Sequence, residues 1–396
     1  MQKPDPRTGS GPSTEHLDQR LFAEFFAGIG LVHLGLNAEG WKCVYANDIA
    51  TKKHEMYCHQ FGASPYYHVG DIWNTDEVLK SITSVPFLVT ASFPCVDLSL
   101  AGNREGLLGK DSSTFYGFLN VLNELHARGT APKAVMIENV MGFLNSRSGK
   151  DFRAAAEALA DLGYHLDAFV VDAKHFAPQS RPRLFIVGSL EANLPDTAIK
   201  QSKTFTLNDA WLDSIDRRKE LRPTKLTAAM KAIDLATGWV QFDLPELPPI
   251  CGDLPSHIDV DDAQDWWEPE RVQKHLDEMS DAHRERVNGH IRGKRNTVGT
   301  IYRRVRQGKT RSEIRTDGLA GCLRTPRGGS SKQIVFVAGK GTVRMRWMSP
   351  VEYARLQGAP NFPIKVGRNQ ALFGFGDAVC VPAISWIARN VLNQLH

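Results

Sequence analysis

Apolar positions in the first half of the chain fall into short runs separated by helical patterns. Leu21-Phe22-Ala23-Glu24-Phe25-Phe26 reads as a strand that runs into Ala27-Gly28-Ile29-Gly30, and LVHLGLNAEG then has the apolar spacing of a helix stopped at Gly40. Cys43-Val44-Tyr45-Ala46 is a second short strand, ending at Asn47-Asp48. The same pattern predicts strands at Tyr66–Val69, Pro86–Ala91, Ala134–Ile137, His165–Val171 and Leu184–Val187, with helices between several of them. Repeated β-α-β order predicts an α/β fold with a mostly parallel sheet covered on both faces. After about Asn193 the alternation stops, giving way to the Pro-rich DLPELPP, the acidic DLPSHIDVDDAQD and a basic stretch. Regularity returns at Ser349–Gly358, a helix with a Ser-Pro start and a Gly stop, and at Val381–Leu395, a final apolar helix.

Composition adds two points. With 396 residues, 42% of them hydrophobic, the chain can bury a core and build two domains. Its net charge of +4 is small, but Arg and Lys concentrate between Arg284 and Arg346, in IRGKRN, IYRRVRQGKTR, LRTPRGGSSK and VRMRW. Interleaved with Gly, Ser and aromatic residues, that stretch suits a phosphate backbone. The opening MQKPDPRTGSGPSTEH is polar and reads as part of a flexible leader; no export signal or membrane span is marked. The six cysteines, Cys43, Cys58, Cys95, Cys251, Cys322 and Cys380, form no CxxC pair and no zinc-spaced cluster with His, so reduced thiols and no metal are expected.

Open α/β sheets place their chemistry at the carboxyl ends of strands. At the first such end, Phe26-Ala27-Gly28-Ile29-Gly30 lets backbone approach a ligand closely, but the third glycine of G-x-G-x-x-G is missing, which disfavours a dinucleotide dehydrogenase. Asp48 ends the second strand as an acid suited to ribose hydroxyls, and Asp71 ends the third at the same edge. In Ser92-Phe93-Pro94-Cys95 the proline fixes φ, so the cysteine is held in a defined direction at the mouth of a strand. Glu138 closes another strand. Gln179, Arg181 and Arg183 alternate in an extended segment and are expected on one face.

In order, FAGIG, the strand-end acid, GDI, FPC, ENV, QSRPR, SPVEYARLQG and GDAV resemble the motifs of the DNA (cytosine-5)-methyltransferase family, over about residues 20–190 and 343–396. The resemblance implies a Rossmann-like, S-adenosylmethionine-dependent large domain with a smaller, variable target-recognition domain. Its boundaries would be a leader at 1–19, a catalytic domain at 20–193, target recognition at 194–367, and a return of 368–396 to the catalytic domain. By position, Cys95 would attack cytosine C6, Glu138 would bind the ring at N3 and the exocyclic amine, Arg183 would hold the base, and Arg181 would fix the catalytic loop. The cofactor would meet Phe26, Ala27, Gly28, Ile29, Gly30, Asp48, Ile49, Asp71, Ile72, Pro94 and Phe115, with Asp377, Ala378 and Val379 closing its site. Ser99 and Gln179 would touch DNA. Arg324, Arg327, Gly328 and Gly329 lie where the family keeps a recognition loop.

The motifs also depart from the family: Ser92 precedes FPC where glycine is usual, Val96 follows it where glutamine is usual, and Asp377 replaces asparagine. Two alternatives stay open: a tRNA methyltransferase, whose Cys-Phe-Thr signature is missing here, and a catalytically silent DNA-binding regulator. The expected partner is double-stranded DNA, with a cognate restriction endonuclease as a further one. The expected setting is a monomeric bacterial or phage enzyme in the cytoplasm.

Overall fold

The computed structural model describes residues 20–94, 106–109, 111–201, 203, 219–261, 265–306, 308–326 and 331–396. The expected leader, Cys95, Ser99, Arg327, Gly328 and Gly329 lie outside the described residues.

Seven strands build the main sheet: β1 (Leu21–Phe25), β2 (Lys42–Asp48), β3 (Tyr67–Val69), β4 (Leu88–Ala91), β5 (Ala134–Val140), β6 (Tyr164–Asp172) and β7 (Pro182–Leu190), in the order β3-β2-β1-β4-β5-β7-β6. Helices α1 (Leu31–Asn37), α2 (Thr51–Phe61), α3 (Thr75–Ser81), α4 (Thr114–Ala127) and α5 (Lys150–Asp161) separate the strands up to β6. Pairing is parallel from β3 to β5, but β7 runs antiparallel to both its neighbours. The sheet is thus mostly parallel, with one reversed strand that the βα pattern does not announce.

Consecutive strand residues feed opposite cores. Phe22, Leu88 and Ala134 enter one apolar cluster with α1 and the last helices, while Ala23, Val89 and Val135 enter another with α3, α4 and α5. Both faces are therefore buried, which is why these strands read as continuous apolar runs. The C-terminal segment closes the first face. At Gly35 on α1 an added Cβ would stand 2.6 Å from Ile384 Cβ, so glycine is what lets helix Val381–Ile387 come this close. By length and composition Arg368–Leu395 would pass for a membrane span, yet 61% of its apolar window is buried in this protein.

The basic stretch is structured as well. β10 (Thr297–Arg306), β11 (Lys309–Arg315), β12 (Ile334–Gly339) and β13 (Thr342–Trp347) form an antiparallel sheet in the order β11-β10-β12-β13, following the two-residue strands β8 (Ile199–Lys200) and β9 (Val240–Gln241). Its third apolar cluster is shared with helices Pro269–Asp277 and Asp281–Ile291. The helix expected at 349–358 forms with a capping box: Ser349 Oγ accepts from Glu352 N at 3.2 Å, and Glu352 accepts from Ser349 N at 2.7 Å. Glu352 is wholly buried and is neutralised by Arg346 of β13, whose Nη1 donates at 2.9 Å. That pair ties the small sheet to a helix whose Tyr353 and Leu356 lie in the first core.

Under the first turn, His33 stacks on Phe61 at 4.0 Å, and its Nδ1 lies 2.7 Å from Tyr57 Oη. Burial pulls its imidazole down to about 4. An unfolded histidine titrates near ~6.5, so between these values the unfolded chain binds a proton that the folded chain does not; stability falls as pH drops through that window. Urea denaturation at pH 7 and pH 5 should show wild type losing about 2 kcal/mol more than His33→Gln over the interval. Equal losses would mean that His33 titrates as an exposed imidazole.

Candidate functional site

The first half of the site is a set of strand ends fastened to one another by backbone and carboxylate. Phe26 leaves β1 at φ 58°, in the left-handed region, followed by Gly28 at 57° and Gly30 at 81°. For a phenylalanine that conformation costs about 1–3 kcal/mol, so its surroundings must hold it. They do so through Ala27 N, which donates to Asn47 O at 2.8 Å, and Gly28 N, which donates to Asp48 Oδ2 at 3.0 Å. Asp48 also accepts from Ala50 N at 2.8 Å, so its carboxylate is oriented from two sides while each oxygen keeps a lone pair. Asn47 donates to His68 O at 3.1 Å and Gly70 O at 3.0 Å, which sets the Gly70-Asp71-Ile72 turn beside Asp48.

Around this acid the apolar positions divide. Ile72, Phe93 and Phe115 are buried, with the Phe93 and Phe115 rings 5.1 Å apart, whereas Ile49 is 68% and Trp73 45% exposed. Large apolar side chains left open beside an oriented carboxylate suit a nucleoside: the acid for hydroxyls, the apolar surface for a flat base. Asp71 instead turns its Oδ1 to Trp73 N at 3.1 Å. The far end of the chain arrives through Lys53 of α2, whose Nζ lies 3.0 Å from Asp377 and 4.0 Å from Asp48. Asp377 thus stands one lysine away from Asp48, and Val379 is buried beyond it. Lys53 carries no motif; only its place one turn after a strand-end acid hints at it.

The second half lies where β4 and β5 end. Ala91 is in register with Ile137, so the segment leading to Cys95 emerges beside Glu138. Two hydrogen bonds pin that segment: Asn139 Nδ2 donates to Phe93 O at 3.2 Å, and Ser112 Oγ donates to Pro94 O at 2.9 Å. Glu138 is 7% exposed and its Oε1 meets Arg183 Nε at 3.0 Å. A buried carboxylate needs such a partner. The pair offers a fixed acceptor and donor set at the mouth of the sheet, suited to the polar edge of a planar ring.

Gln179 and Arg181 are placed differently from the expectation. Gln179 is wholly buried, donating to Leu356 O at 2.6 Å and Gln357 Oε1 at 2.8 Å, because residues 178–180 pair with Ala320 instead of lying free at the surface. It therefore supports the helix end from within the protein. Arg181 is 2% exposed and donates to Leu323 O at 2.6 Å, Gly376 O at 3.1 Å and Ala378 O at 2.5 Å. Only Arg183 of the three reaches Glu138.

Arg181 also ties residue 323 to the C-terminal segment at 376–378. At Gly376 an added Cβ would meet Thr325 N at 2.5 Å, so residues 324–325 lie directly on that glycine, and Arg324 itself is exposed. Cys322, which no motif marked, sits beside these groups. Burial pushes its thiol up, but the charges of Arg181, Arg183 and Arg324 outweigh burial and leave it below its usual value.

Relatives with this architecture are known. The model of the C-5 cytosine-specific DNA methylase family matches residues 21–393. Type II methyltransferase M.HpaII of Haemophilus parainfluenzae is 27% identical over 395 residues, covering 94% of this chain and 89% of that protein. Type II methyltransferase M.DsaV of Dactylococcopsis salina is 27% identical over 383 residues, covering 95% and 87%. Among solved structures, the S. pombe Dnmt2 methyltransferase superposes with a TM-score of 0.58 at 18% identity, covering 96% of this chain and 100% of its own, a likeness of fold. The chain belongs to the C-5 cytosine-specific DNA methylase family and is a DNA cytosine-5-methyltransferase.

Proposed function

We propose that this chain transfers a methyl group from S-adenosylmethionine to C5 of a flipped-out cytosine in a specific double-stranded sequence, through a covalent Cys95–C6 adduct. What carries the reading is the join of β4 to β5: Asn139 and Ser112 anchor Phe93 and Pro94, so the chain enters Cys95 beside the Glu138–Arg183 pair. On this reading the nucleophile next in sequence to that anchored segment would join an acid–base group and a base-holding cation at one strand edge.

Each residue has a task. The thiolate of Cys95 forms a bond to C6, and the C5–C6 electron pair becomes nucleophilic at C5. Glu138 binds the ring at N3 and the amine, drawing charge from C6 as the bond forms, while Arg183 holds both carboxylate and base in place. S-adenosylmethionine supplies an activated methyl cation equivalent on sulfur. Once C5 carries the methyl, a base takes the C5 proton, the C5–C6 double bond returns, and the Cys95–C6 bond breaks. Asp48 would take ribose hydroxyls, Phe26, Ile49 and Ile72 would pack the adenine with Asp71 at its edge, and Lys53–Asp377 would close the far side. The target must leave the base stack, since C6 is covered in a duplex.

Target choice falls to residues 194–367, with Arg324, Arg327, Gly328 and Gly329 reading bases and Ser99 touching the strand near Cys95. The setting that fits is a bacterial or phage modification enzyme acting in the cytoplasm on genomic DNA, with an endonuclease of the same site as its partner.

Glu138→Gln should lower single-turnover methylation of a target duplex by roughly 10²–10⁴ and leave site choice unchanged. A rate within a factor of about two of wild type would remove Glu138 from the chemistry. Arg324→Ala should relax discrimination at one guanine-containing position by about 1–3 kcal/mol, as binding to target and single-substituted duplexes would show. Equal weakening on target and random DNA would assign Arg324 to a phosphate.

A further inference from the structure

The small sheet carries a cluster of cations that the methylation chemistry does not use. Ile301, Ile334 and Trp347 are paired across β10, β12 and β13, so their side chains share one face of the sheet. Arg303 of β10 lies two residues beyond Ile301 and so on the same face, and Lys332 lies just before β12 begins at Ile334. Helix Pro269–Asp277 covers that face and delivers Arg271 to the same spot. The guanidiniums of Arg271 and Arg303 stand 5.4 Å and 5.8 Å from the Trp347 ring centre, and Lys332 Nζ stands 5.8 Å from it. Arg271 lies over Trp267 as well, at 3.9 Å.

Three like charges around one indole repel one another. Carboxylates do not relieve them: neither Arg271, Arg303 nor Lys332 forms an ion pair with an acid among the described residues. Glu278, on the same side, is taken by Ser312 Oγ at 2.8 Å and His275 at 3.2 Å. Partial desolvation against the two indoles and the neighbouring Arg303 pull Arg271 below the usual arginine value, and Arg303 Nε is buried without a hydrogen-bond partner among the described residues. Such a cluster suits an anion. Its position says which anion, since Lys332 follows the recognition segment directly and donates to Asn369 Oδ1 at 3.0 Å, on the helix that ends at Asp377.

We infer that Arg271, Arg303 and Lys332 form a single phosphate clamp on the aromatic floor of Trp267 and Trp347, which takes one backbone phosphate of the duplex beside the recognition segment. The inference rests on the proposed action on double-stranded DNA. A clamp of this kind sets the register of the duplex and carries no base information.

The test is duplex binding by the full chain, wild type against Arg271→Gln, Lys332→Gln and the triple glutamine variant, across a salt series with target and random duplexes. Each single variant should weaken both duplexes alike, by roughly ten-fold for the loss of a charged hydrogen bond. Because three cations share one phosphate, the triple variant should flatten the slope of log K against log salt by about 0.9, the value for one phosphate, and not by three times that. Thermal melting checks that each variant is folded; Arg271 is exposed, so its variant keeps a folded comparison available should the triple one fail. Unchanged affinity and slope in folded Arg271→Gln and Lys332→Gln would overturn the clamp, and so would a loss of discrimination between the two duplexes. Tighter binding of free inorganic phosphate than of duplex would overturn the DNA assignment. Wild type that binds duplex with this salt dependence but methylates nothing would fail the enzymatic reading and leave the clamp standing.

Discussion

One buried guanidinium joins the parts of this molecule that chemistry requires to be close. Arg181 donates to the carbonyls of Leu323, Gly376 and Ala378, which belong to two segments far apart in the chain, while its own backbone N–H donates to Asp172 at 2.6 Å. A desolvated cation must find acceptors, and here they are peptide oxygens from segments far apart in the chain. Replacing it would take a donor from each of those carbonyls, of which Ala378 O keeps Gln357 Nε2 at 3.1 Å, and would loosen the 322–325 segment from the sheet edge. Gly376 works with it by bringing the two backbones within reach. The strand-end acids, the Glu138–Arg183 pair and residues 322–325 thereby share one rim of the sheet.

The rim has an electrostatic division. Toward β2 and β3 it holds carboxylates, Asp48 and Asp377, bridged by Lys53 and flanked by exposed Ile49 and Trp73. Toward β5 and β7 it is cationic, with Arg183 and Arg324 close enough to lower the Cys322 thiol. The first half suits a nucleoside carrying a positive sulfur; the second suits an anionic duplex and a base with acceptors. Asp377 in place of the family's asparagine is matched by Lys53, so this departure adds an ion pair beside Asp48 instead of an unbalanced charge.

Much of this was legible in the chain because strand ends announce themselves: apolar runs stop abruptly at FAGIG, Asn47-Asp48, FPC and ENV, and the parallel sheet brings those stops to one edge. The reversal of β7 was not legible, since its residues are as apolar as those of a parallel strand. The small sheet was missed for a different reason: in IYRRVR and VRMRW arginines occupy strand positions, and charge masks the period of two. Alternation placed Gln179, Arg181 and Arg183 on one face, but the pairing of residues 178–180 with Ala320 buries the first two, and no local pattern encodes a bridge 140 residues away. Lys53 and Ser112 have the same history: they act through contacts that only the fold creates.

The central claim is that Cys95 forms a bond to the target base beside Glu138. The most direct measurement is mass analysis of the protein after incubation with S-adenosylmethionine and a target duplex carrying 5-fluorocytosine at the methylated position, where fluorine cannot leave as a proton does. Wild type should accumulate as a stable one-to-one protein–DNA adduct attached through Cys95, and Cys95→Ala should form none. Methylation of ordinary duplex by Cys95→Ala, or an adduct on any other residue, would contradict the account.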